Sequence, residues 1–448
     1  MTTYQLAIIG GGPAGYTAAE KAAKAGLSVI LFERKALGGV CLNEGCIPTK
    51  TLLYSAKMYD HFKVADKYGL SCEEFGVNIP KIQSRKNKII RKLTAGIRAR
   101  LTAAGVTMIN AEAVVERYAS NMVLLKAGEE LYKAERLLMA TGSETAVPPI
   151  PGLEDTPFWT STEALNATEI PAELTVVGGG VVGMEFACFF NSMGAKVTVI
   201  EMLPEILGGM DGEIAALFRE ECRKKGITFY LSARVERVTP TEVFFTHEGE
   251  QKTVSATQLL LAAGRRPILK PNSILPFEMD GKRIRINRHM QTSLPNVYAC
   301  GDITGTSMLA HTAEREACVA VNHMLGISDE MSYQAIPGVV YTSPEVAAVG
   351  YTEEQLKERT IPYRIHKLPM SYAGRFVVEN EAFNGLCKML IAENDTVLGV
   401  HILGTPSSEF IVAAGMAIEH ELTLSAWEKT VFPHPTVSEI LREVINAE

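Results

Sequence analysis

The sequence lacks the features typical of membrane, secreted and nucleic-acid-binding proteins. None of its apolar runs approaches the length that crosses a bilayer, and no basic leader or small-residue cleavage site precedes the first apolar strand pattern. Its basic clusters are short, as at Lys86–Lys88, and the formal net charge of −7 repels phosphate backbones. We therefore expect a soluble, cytoplasmic protein that binds neither membrane nor nucleic acid.

Cysteine is scarce and mostly scattered. Six of the eight cysteines stand alone in the sequence, which is typical of reduced, buried thiols in a reducing compartment. Only Cys41 and Cys46 are close enough in sequence to act together, and no second pair completes a zinc site. We favour a redox-active pair; a zinc site, a structural disulfide and two inert thiols are the alternatives.

A dinucleotide-binding pattern occurs twice in the chain. In each copy an apolar strand leads into Gly-x-Gly-x-x-Gly and then into a helical run, first at Gly10–Gly15 and again at Gly178–Gly183. A glycine ends each helical run 16 residues after the first glycine of its motif, and a glutamate ends the next strand 23 residues after it. The shared spacing predicts two Rossmann-like folds, each of which binds one dinucleotide.

Each position of the pattern has a physical role. The first glycine makes the strand-to-helix turn, the second lets a pyrophosphate approach the backbone, and the third lets the helix pack closely on the strand. The terminal glutamate accepts hydrogen bonds from ribose hydroxyls. These four positions are Gly10, Gly12, Gly15 and Glu33 in the first copy, and Gly178, Gly180, Gly183 and Glu201 in the second.

Glu201 also predicts which nicotinamide dinucleotide binds. A carboxylate at this position repels the 2′-phosphate of NADP, and Met202–Glu205 contain no basic residue that would offset it. We therefore expect the second site to prefer NAD. A tightly held flavin and an exchangeable nicotinamide would account for two such sites, but the symmetry of the two copies does not say which site holds which.

The cysteine pair follows the first motif closely. The segment Gly38–Lys50 comes soon after Glu33, which places the two thiols beside the first dinucleotide. We expect a helix to begin near Cys41, so that its N-terminus and Lys50 stabilise a thiolate. One thiol must be reachable by a disulfide substrate, and the other must face the electron donor.

The same segment carries a resemblance to a known family. Gly38–Lys50 resembles the redox-active motif of the class I pyridine nucleotide–disulfide oxidoreductases, G-G-T-C-L-N-x-G-C-I-P-S-K. The resemblance covers essentially the whole chain in order, and it is greatest to the members that oxidise dihydrolipoamide. Its further motifs are Ala140–Ser143, Gly264–Pro267, Ala299–Asp302, Met308–His311, Tyr341–Glu345 and His434–Glu439.

This resemblance implies a dithiol–disulfide mechanism in a homodimer. Dihydrolipoamide would attack the Cys41–Cys46 disulfide, with Cys41 as the interchange thiol and Cys46 against the flavin. His434, oriented by Glu439, would act as general base and acid and would reach the active site of the other subunit. Electrons would pass through FAD to NAD, and the substrate would arrive on a lipoyl-bearing protein of a 2-oxoacid dehydrogenase or glycine cleavage complex.

The resemblance also implies a set of cofactor contacts and no metal ligands. Lys50 and Glu185 would pair near the flavin and nicotinamide rings. Asp302 would bind the ribityl chain, and the backbone of Ala310 would bind the edge of the flavin ring. Apart from the glycines and glutamates of the two motifs, the remaining implied contacts are Arg34, Gly39, Ala111, Thr141, Gly142, Val235 and Gly264.

The chain departs from the usual family pattern at a few positions. Val40 replaces the threonine before the first cysteine, and Ala111 stands where a glycine often contacts the FAD adenosine. Phe432 and Pro433 precede His434, where many members have His-Ala. None of these differences removes a catalytic group.

These features together predict an α/β fold: two Rossmann-like domains, for FAD and NAD, and an α+β C-terminal dimerisation domain. Residues 1–145 would form the first part of the FAD-binding domain, including a helical excursion over 52–104, and residues 146–269 the NAD-binding domain. Residues 270–333 would return to the flavin, and residues 334–448 would form the dimerisation domain.

Two regions outside the motifs also support predictions. We expect the basic run Lys81–Arg100 to be a solvated helix face rather than a binding patch. In the C-terminal domain the patterns predict strands at Gly338–Tyr341, Lys388–Ile391 and Val397–Ile402 and a helix at Glu409–Ile418.

Other activities remain as alternatives. A glutathione-type or trypanothione-type reductase would use NADPH, against which Glu201 argues. A mercuric reductase would add a C-terminal cysteine pair, whereas the last cysteine here is Cys387, and single-cysteine peroxidases and oxidases do not match two cysteines. A purely structural component of a 2-oxoacid dehydrogenase or glycine cleavage assembly would not need the cysteines, the glycines or His434.

Overall fold

The computed structural model describes residues 2–269, 274–380 and 385–447, so the expected domain start at residue 270 lies outside the described residues. The chain forms two compact units. The first unit comprises Met1–Thr51, Pro80–Ala146 and Gly264–Ser332. The second comprises Leu52–Ile79, Val147–Ala263 and Tyr333–Glu448.

The first unit is built on a parallel β-sheet. In sheet order its strands are Val297–Ala299, Leu137–Met139, Leu6–Ile9, Val29–Phe32 and Thr107–Ile109. Leu6–Ile9, at the centre, is buried throughout, as expected for a parallel strand covered on both faces. The strands predicted at Leu6–Ile9 and Val29–Phe32 are confirmed.

The helix Pro13–Lys24 follows the central strand and packs along the helix Ala310–Met324. Its buried face consists of small residues, mostly alanine, which allows the close approach. The helix predicted after the first glycine motif begins within that motif, at Pro13, because proline suits the first turn, where no backbone amide hydrogen is needed.

The rest of the first unit surrounds this sheet. A second sheet contains Thr3–Tyr4, Glu130–Ala134, Met122–Ala127 and Ala113–Ala119. The short strands pair as Ser143–Thr145 with Arg265–Pro267 and Met279–Asp280 with Arg283–Ile284. The further helices are Gly39–Glu44, Ile79–Ala103 and the 3₁₀ turn Asp302–Thr304.

The second unit contains the other Rossmann-like sheet. In order its parallel strands are Thr228–Tyr230, Lys196–Ile200, Glu173–Val177 and Gln258–Leu261. The helix Val181–Ser192 follows the strand Glu173–Val177, as Pro13–Lys24 follows Leu6–Ile9. The internal repeat predicted from the glycine motifs is therefore present in the fold. Around this sheet lie the helices Ser161–Leu165 and Gly212–Lys224 and the antiparallel strands Arg234–Val238, Glu242–His247 and Glu250–Ser255.

The C-terminal part of the second unit is an antiparallel sheet covered by helices. Its strands are, in order, Gly338–Val340, Val346–Gly350, Val397–Leu403, Leu386–Ile391 and Arg364–Pro369. Its helices are Glu353–Glu358, Gly374–Glu379, Ser407–Glu419, Leu424–Trp427 and Glu439–Ile445, with the 3₁₀ turn Met370–Tyr372. The strands and the helix predicted in this region are all present, within two residues at each end.

The helical excursion is confirmed with two corrections. It consists of Cys46–Lys63, the 3₁₀ turn Ala65–Tyr68 and Ile79–Ala103. The basic face of Ile79–Ala103 is mostly solvated as expected, but Lys86 is only 2% exposed, and burial lowers its pKa.

The second correction adds a helix boundary between the cysteines. The helix expected near Cys41 is present as Gly39–Glu44, but it is short, and a separate long helix begins at Cys46. Gly45 separates them, because its φ of −149° and ψ of −109° are not helical. The N-terminus of the long helix therefore lies at Cys46 rather than at Cys41.

In the part of the chain that the structure describes, no helix is both long enough and apolar enough to cross a membrane.

Candidate active site

Cys41 and Cys46 form a disulfide, with their Cα atoms 4.7 Å apart. The segment that carries them is tied to the first glycine motif: the amide of Gly38 donates to the carbonyl of Gly11 at 2.8 Å. A Cβ atom on Gly39 would lie 2.7 Å from the Cα of Gly12, so only glycine permits this approach. The disulfide is thus held beside the first dinucleotide motif, as the sequence predicts.

The side chain of Asn43 fixes the short helix Gly39–Glu44, which carries Cys41. Its Nδ2 donates to the carbonyl oxygens of Leu37 at 3.0 Å and of Gly39 at 2.8 Å. These contacts hold both ends of the turn before Cys41, so the disulfide has a fixed support. Sequence reasoning gave Asn43 no role, because both of its partners are backbone atoms.

The first glycine motif has the geometry of a pyrophosphate site. A Cβ atom on Gly15 would lie 1.8 Å from the carbonyl oxygen of Gly10, which forces glycine where helix and strand meet. For Gly12 the nearest atom to such a Cβ is the Cα of Gly39 at 3.8 Å, an ordinary contact distance, so the backbone there is not crowded. The helix N-terminus at Pro13 adds a favourable field for an anion at that place.

The second motif repeats this arrangement. A Cβ atom on Gly183 would lie 2.0 Å from the carbonyl oxygen of Gly178, and around Gly180 no atom comes within 4 Å. The helix Val181–Ser192 begins immediately after Gly180. Both motifs therefore fit the diphosphate of a dinucleotide.

The two terminal glutamates are held in matching ways. In the first unit, the carboxylate of Glu33 accepts from the amides of Gly11 and Lys35, each at 2.7 Å. In the second unit, the carboxylate of Glu201 accepts from the amide of Gly179 at 2.5 Å and from that of Leu203 at 2.7 Å. Backbone amides thus aim each carboxylate from the strand end toward its glycine loop, where a ribose would lie.

The surface next to Glu201 is apolar. Met202 and Leu203 are 67% and 45% exposed, high values for side chains of their kind. They offer a flat apolar contact and no charge for a 2′-phosphate. The sequence showed that Met202–Glu205 contain no basic residue. It did not show that Met202 and Leu203 form an exposed apolar surface.

Asp302 is the end of a chain of hydrogen bonds within the first unit. The hydroxyl of Ser143 donates to the Asp302 carboxylate, and Nε of Arg265 donates to that hydroxyl at 2.7 Å. Nη2 of Arg265 also donates to the carbonyl of Ser143 at 2.8 Å. Ser143 and Arg265 thus orient Asp302, a role that the sequence did not reveal although both lie in family motifs.

Glu185 lies on the helix of the second glycine motif and is only 3% exposed. Its carboxylate accepts from the backbone amide of Tyr341 at 3.0 Å. Burial, and then the nearby carboxylates of Glu185, Glu345 and Glu409, raise the pKa of the Tyr341 phenol.

His434 and Glu439 are brought together as predicted. Nδ1 of His434 lies 3.0 Å and 3.2 Å from the two carboxylate oxygens of Glu439, while the His434 side chain is 77% exposed. The amide of Thr436 donates to Glu439 at 2.9 Å, and Arg442 lies 3.2 Å from the same carboxylate. These contacts, the Thr436 amide foremost and His434 next, lower the pKa of Glu439, so the buried carboxylate stays charged. The imidazole is therefore fixed through Nδ1, while most of the His434 side chain is exposed.

The remaining predicted cofactor residues are distributed over several elements. Arg34 pairs with Glu112 at 3.1 Å, next to Ala111. The hydroxyl of Thr141 donates to the carbonyl of Ile268 at 3.0 Å. The others are placed as follows: Gly142 and Gly264 after buried strands of their sheets, Val235 in the strand Arg234–Val238, Ala310 at the start of Ala310–Met324, and Lys50 in Cys46–Lys63.

Comparison with known sequences supports the family resemblance seen in the motifs. The sequence profile of the pyridine nucleotide-disulphide oxidoreductases matches residues 4–317, and the profile of that family's dimerisation domain matches residues 336–445. The dihydrolipoyl dehydrogenase of Mycoplasma pneumoniae is 36% identical over 450 residues, covering 98% of this chain and 97% of the relative. That of Thermus scotoductus is 37% identical over 465 residues, covering 100% and 98%.

Solved structures agree with the sequence matches. The crystal structure of LpdA from Mycobacterium tuberculosis matches this fold with a TM-score of 0.90 at 25% sequence identity, covering 100% of this chain and 99% of that one. The two family profiles together match residues 4–317 and 336–445, which include both glycine motifs, the two cysteines and the C-terminal domain. This chain belongs to the pyridine nucleotide-disulphide oxidoreductase family.

Proposed function

We infer that the protein is a dihydrolipoyl dehydrogenase, which oxidises a dihydrolipoyl group with the Cys41–Cys46 disulfide and passes the electrons through FAD to NAD. The observation that carries this inference is the close approach of Gly39 to Gly12, which seats the disulfide on a dinucleotide motif. Two relatives that match almost the full chain, from Mycoplasma pneumoniae and Thermus scotoductus, are dihydrolipoyl dehydrogenases.

In the thiol exchange one disulfide, Cys41–Cys46, is broken and one disulfide, that of the lipoyl group, is formed. One thiolate of the dihydrolipoyl group attacks the sulfur of Cys41, a mixed disulfide forms, and Cys46 leaves as a thiolate. The second substrate thiol then displaces Cys41, which yields the lipoyl disulfide and two reduced cysteines. Cys46 suits the leaving role because it begins the helix Cys46–Lys63, whose N-terminus stabilises a thiolate.

The cofactor residues divide between the two motifs. Bound beside the disulfide, FAD supplies the two-electron acceptor for the reduced cysteines. We assign the FAD pyrophosphate and ribose to the first motif and Glu33, and the ribityl chain to Asp302, held by Ser143 and Arg265. The NAD pyrophosphate and ribose fall to the second motif and Glu201, whose carboxylate disfavours NADP.

His434 carries the proton of the substrate thiol. Glu439 holds Nδ1, so Nε2 is the nitrogen that accepts a proton from the dihydrolipoyl thiol and later returns one. We propose that His434 of the partner subunit serves each disulfide, because this histidine belongs to the segment matched by the family's dimerisation domain. The functional unit is then a homodimer.

The four predicted segments, which form three domains, and the biological partner belong to the same proposal. Residues 1–145 and 270–333 form the FAD-binding part, residues 146–269 the NAD-binding part, and residues 334–448 the dimerisation domain. The substrate is carried by the lipoyl-bearing protein of a 2-oxoacid dehydrogenase or glycine cleavage complex. A cytoplasmic location stays a prediction.

Steady-state kinetics test the proposed reaction. The purified flavoprotein is assayed with dihydrolipoamide or glutathione as the thiol and with NAD or NADP as the acceptor. We expect rapid NADH formation only from dihydrolipoamide with NAD. Turnover confined to glutathione and NADP would assign the chain to the glutathione-type reductases instead.

A further inference from the structure

Cys188 and Cys222 form a second pair of neighbouring thiols, although 34 residues separate them in sequence. Their sulfur atoms lie 3.8 Å apart. This is close to contact distance and about 1.8 Å longer than a disulfide bond. The pair belongs to the second unit, whereas Cys41 and Cys46 belong to the first.

Two helices of the NAD-binding part hold this pair together. Cys188 lies on Val181–Ser192, the helix that begins at the second glycine motif, and Cys222 lies on Gly212–Lys224. Near the C-terminal ends of these helices, a Cβ atom on Gly226 would lie 4.0 Å from the side chain of Asn191. The two segments therefore stay close beyond the cysteines, and side-chain rotation with a small adjustment of the helices can close the gap between the sulfurs.

The two thiols differ in how an oxidant reaches them. Cys222 is 2% exposed and continues the buried face formed by Ile214, Ala215 and Phe218. The hydrogen bond to Cys188, together with burial, raises the pKa of the Cys222 thiol well above its ordinary value. Cys188 is partly exposed. A small oxidant therefore meets Cys188 first and Cys222 only through it.

We propose that Cys188 and Cys222 are a second oxidisable dithiol, which closes to a disulfide when the protein meets a hydroperoxide. The sulfur of Cys188 attacks the peroxide O–O bond, forms a sulfenic acid and releases water or an alcohol. The sulfur of Cys222 then displaces the hydroxyl group, the S–S bond forms, and a molecule of water leaves. The two thiols together lose two electrons, and these electrons reduce one molecule of peroxide.

The Cys188–Cys222 disulfide would join Val181–Ser192, the helix that begins at the proposed NAD pyrophosphate site, to the helix Gly212–Lys224. Val181–Ser192 carries Gly183 and Glu185, whereas the cysteine chemistry of turnover takes place at Cys41 and Cys46. The second dithiol thus lies in the nucleotide-binding part of the enzyme and takes no part in the proposed thiol exchange with substrate. Its oxidation can therefore be followed while the catalytic disulfide stays closed.

Peptide mapping of the FAD-loaded enzyme tests the proposal. The enzyme is treated with hydrogen peroxide, remaining thiols are alkylated, and the protein is digested without reduction for mass spectrometry. We expect a peptide pair linked through Cys188 and Cys222, which disappears after reduction with dithiothreitol. Oxidation of Cys188 to sulfinic acid in the wild type with no linked pair would overturn the proposal, as would linkage of Cys188 to another cysteine.

Three variants sharpen this test. Cys222→Ser should leave a sulfenic acid at Cys188 that dimedone traps, and Cys188→Ser should leave Cys222 reduced. Cys72→Ser removes an exposed thiol elsewhere and should leave the cross-link unchanged. Equal oxidation of Cys222 in the wild type and in Cys188→Ser would show that Cys188 is not the point of attack.

Discussion

Single side chains are held in matching ways beside the two glycine motifs. Glu33 and Glu201 each place both carboxylate oxygens on backbone amides of their own loop region. Their positions were predictable from the sequence, because the spacing from glycine to glutamate is fixed by one strand–helix–strand unit. The bonds that aim the carboxylates were not, because a backbone amide leaves no signature in the pattern of side chains.

The preference for NAD should depend on Glu201 and its neighbour. We expect Glu201→Ser combined with Met202→Arg to shift the ratio of kcat/KM for NADP over NAD by at least about 10-fold, or about 1.4 kcal/mol. The serine removes the repulsion, and the guanidinium binds the 2′-phosphate. Glu201→Ser combined with Met202→Gln is the matched control without a cation. An unchanged ratio in the arginine variant would mean that other residues select the dinucleotide.

At the scale of secondary-structure elements, the glycines within one strand-to-helix loop have different physical roles. Gly183 permits contact with the backbone of Gly178, whereas Gly180 leaves open space in front of the helix Val181–Ser192. The first property concerns folding and the second concerns ligand approach. The two glycines should therefore differ when each is replaced by alanine.

We expect Gly183→Ala to lower the melting temperature, because its Cβ would lie 2.0 Å from the carbonyl oxygen of Gly178. Gly180→Ala should keep the melting temperature but raise the KM for NAD, since the added methyl occupies the space that a pyrophosphate needs. Differential scanning fluorimetry and steady-state kinetics measure the two effects. A loss of stability in Gly180→Ala with unchanged KM would contradict the assignment of that space to the ligand.

A buried cluster of charges fixes the helix Gly212–Lys224 to the C-terminal sheet within the second unit. Nζ of Lys388, 1% exposed, lies 3.0 Å from Asp211, 3.2 Å from Glu213 and 2.6 Å from Glu353. Burial alone would lower the pKa of Lys388, but the hydrogen bonds to Glu353 and Asp211 raise it above its ordinary value. Asp211 also accepts from the amide of Ile214 and so begins the helix.

The cluster should make stability depend on acid pH. The hydrogen bonds from Lys357 and Lys388 lower the pKa of Glu353 from 4.5 to about 2. Its stabilising contacts are therefore complete above pH 4.5 and are lost as the pH falls toward 2. We expect Glu353→Gln to lower the free energy of unfolding by about 1–3 kcal/mol at pH 7, and by less at pH 3.

Urea denaturation at both pH values measures this difference. Glu358→Gln, on the same short helix but exposed, is the control and should stay within about 0.5 kcal/mol of the wild type. An equal effect of Glu353→Gln at pH 7 and pH 3 would contradict the role assigned to the ionised carboxylate.

Several element-scale features escaped sequence reasoning for physical reasons. The break at Gly45, which separates two helices, was not predicted, because glycine is compatible with both a helix and a break. Lys388 lies in a strand correctly predicted from its apolar neighbours, but its three carboxylate partners come from distant segments. The same is true of Cys188 and Cys222. Periodicity identifies local elements, whereas contacts between distant segments require the folded chain.

At the scale of the whole molecule, the resemblance to known enzymes accounts for more than the local patterns do. The Cys41–Cys46 pair and the paired motifs could be found from spacing alone, whereas the role of His434 depended on the family. The structure adds that His434 is bound to Glu439 through one nitrogen and is largely exposed. That geometry is suited to a group that serves a partner subunit.

Mixed dimers test whether His434 acts across the subunit interface. Cys41→Ser and His434→Gln homodimers should both turn over far more slowly than the wild type, by about 100-fold or more for the histidine variant. A heterodimer of the two variants contains one disulfide that faces an intact His434 of the partner subunit. We expect it to recover roughly half of the wild-type rate, since one of its two sites is complete. No recovery in purified heterodimers would mean that the histidine acts within its own subunit.

The redox state of Cys41 and Cys46 during a half-reaction tests the proposed dithiol mechanism directly. The FAD-loaded enzyme is mixed anaerobically with one equivalent of dihydrolipoamide per site, alkylated at low pH to stop thiol exchange, and mapped by mass spectrometry, with and without a further addition of NAD. We expect dihydrolipoamide to make Cys41 and Cys46 reactive to the alkylating agent, and NAD to restore the disulfide and yield NADH. A Cys41–Cys46 disulfide that stays closed while NADH is formed would contradict the proposed mechanism.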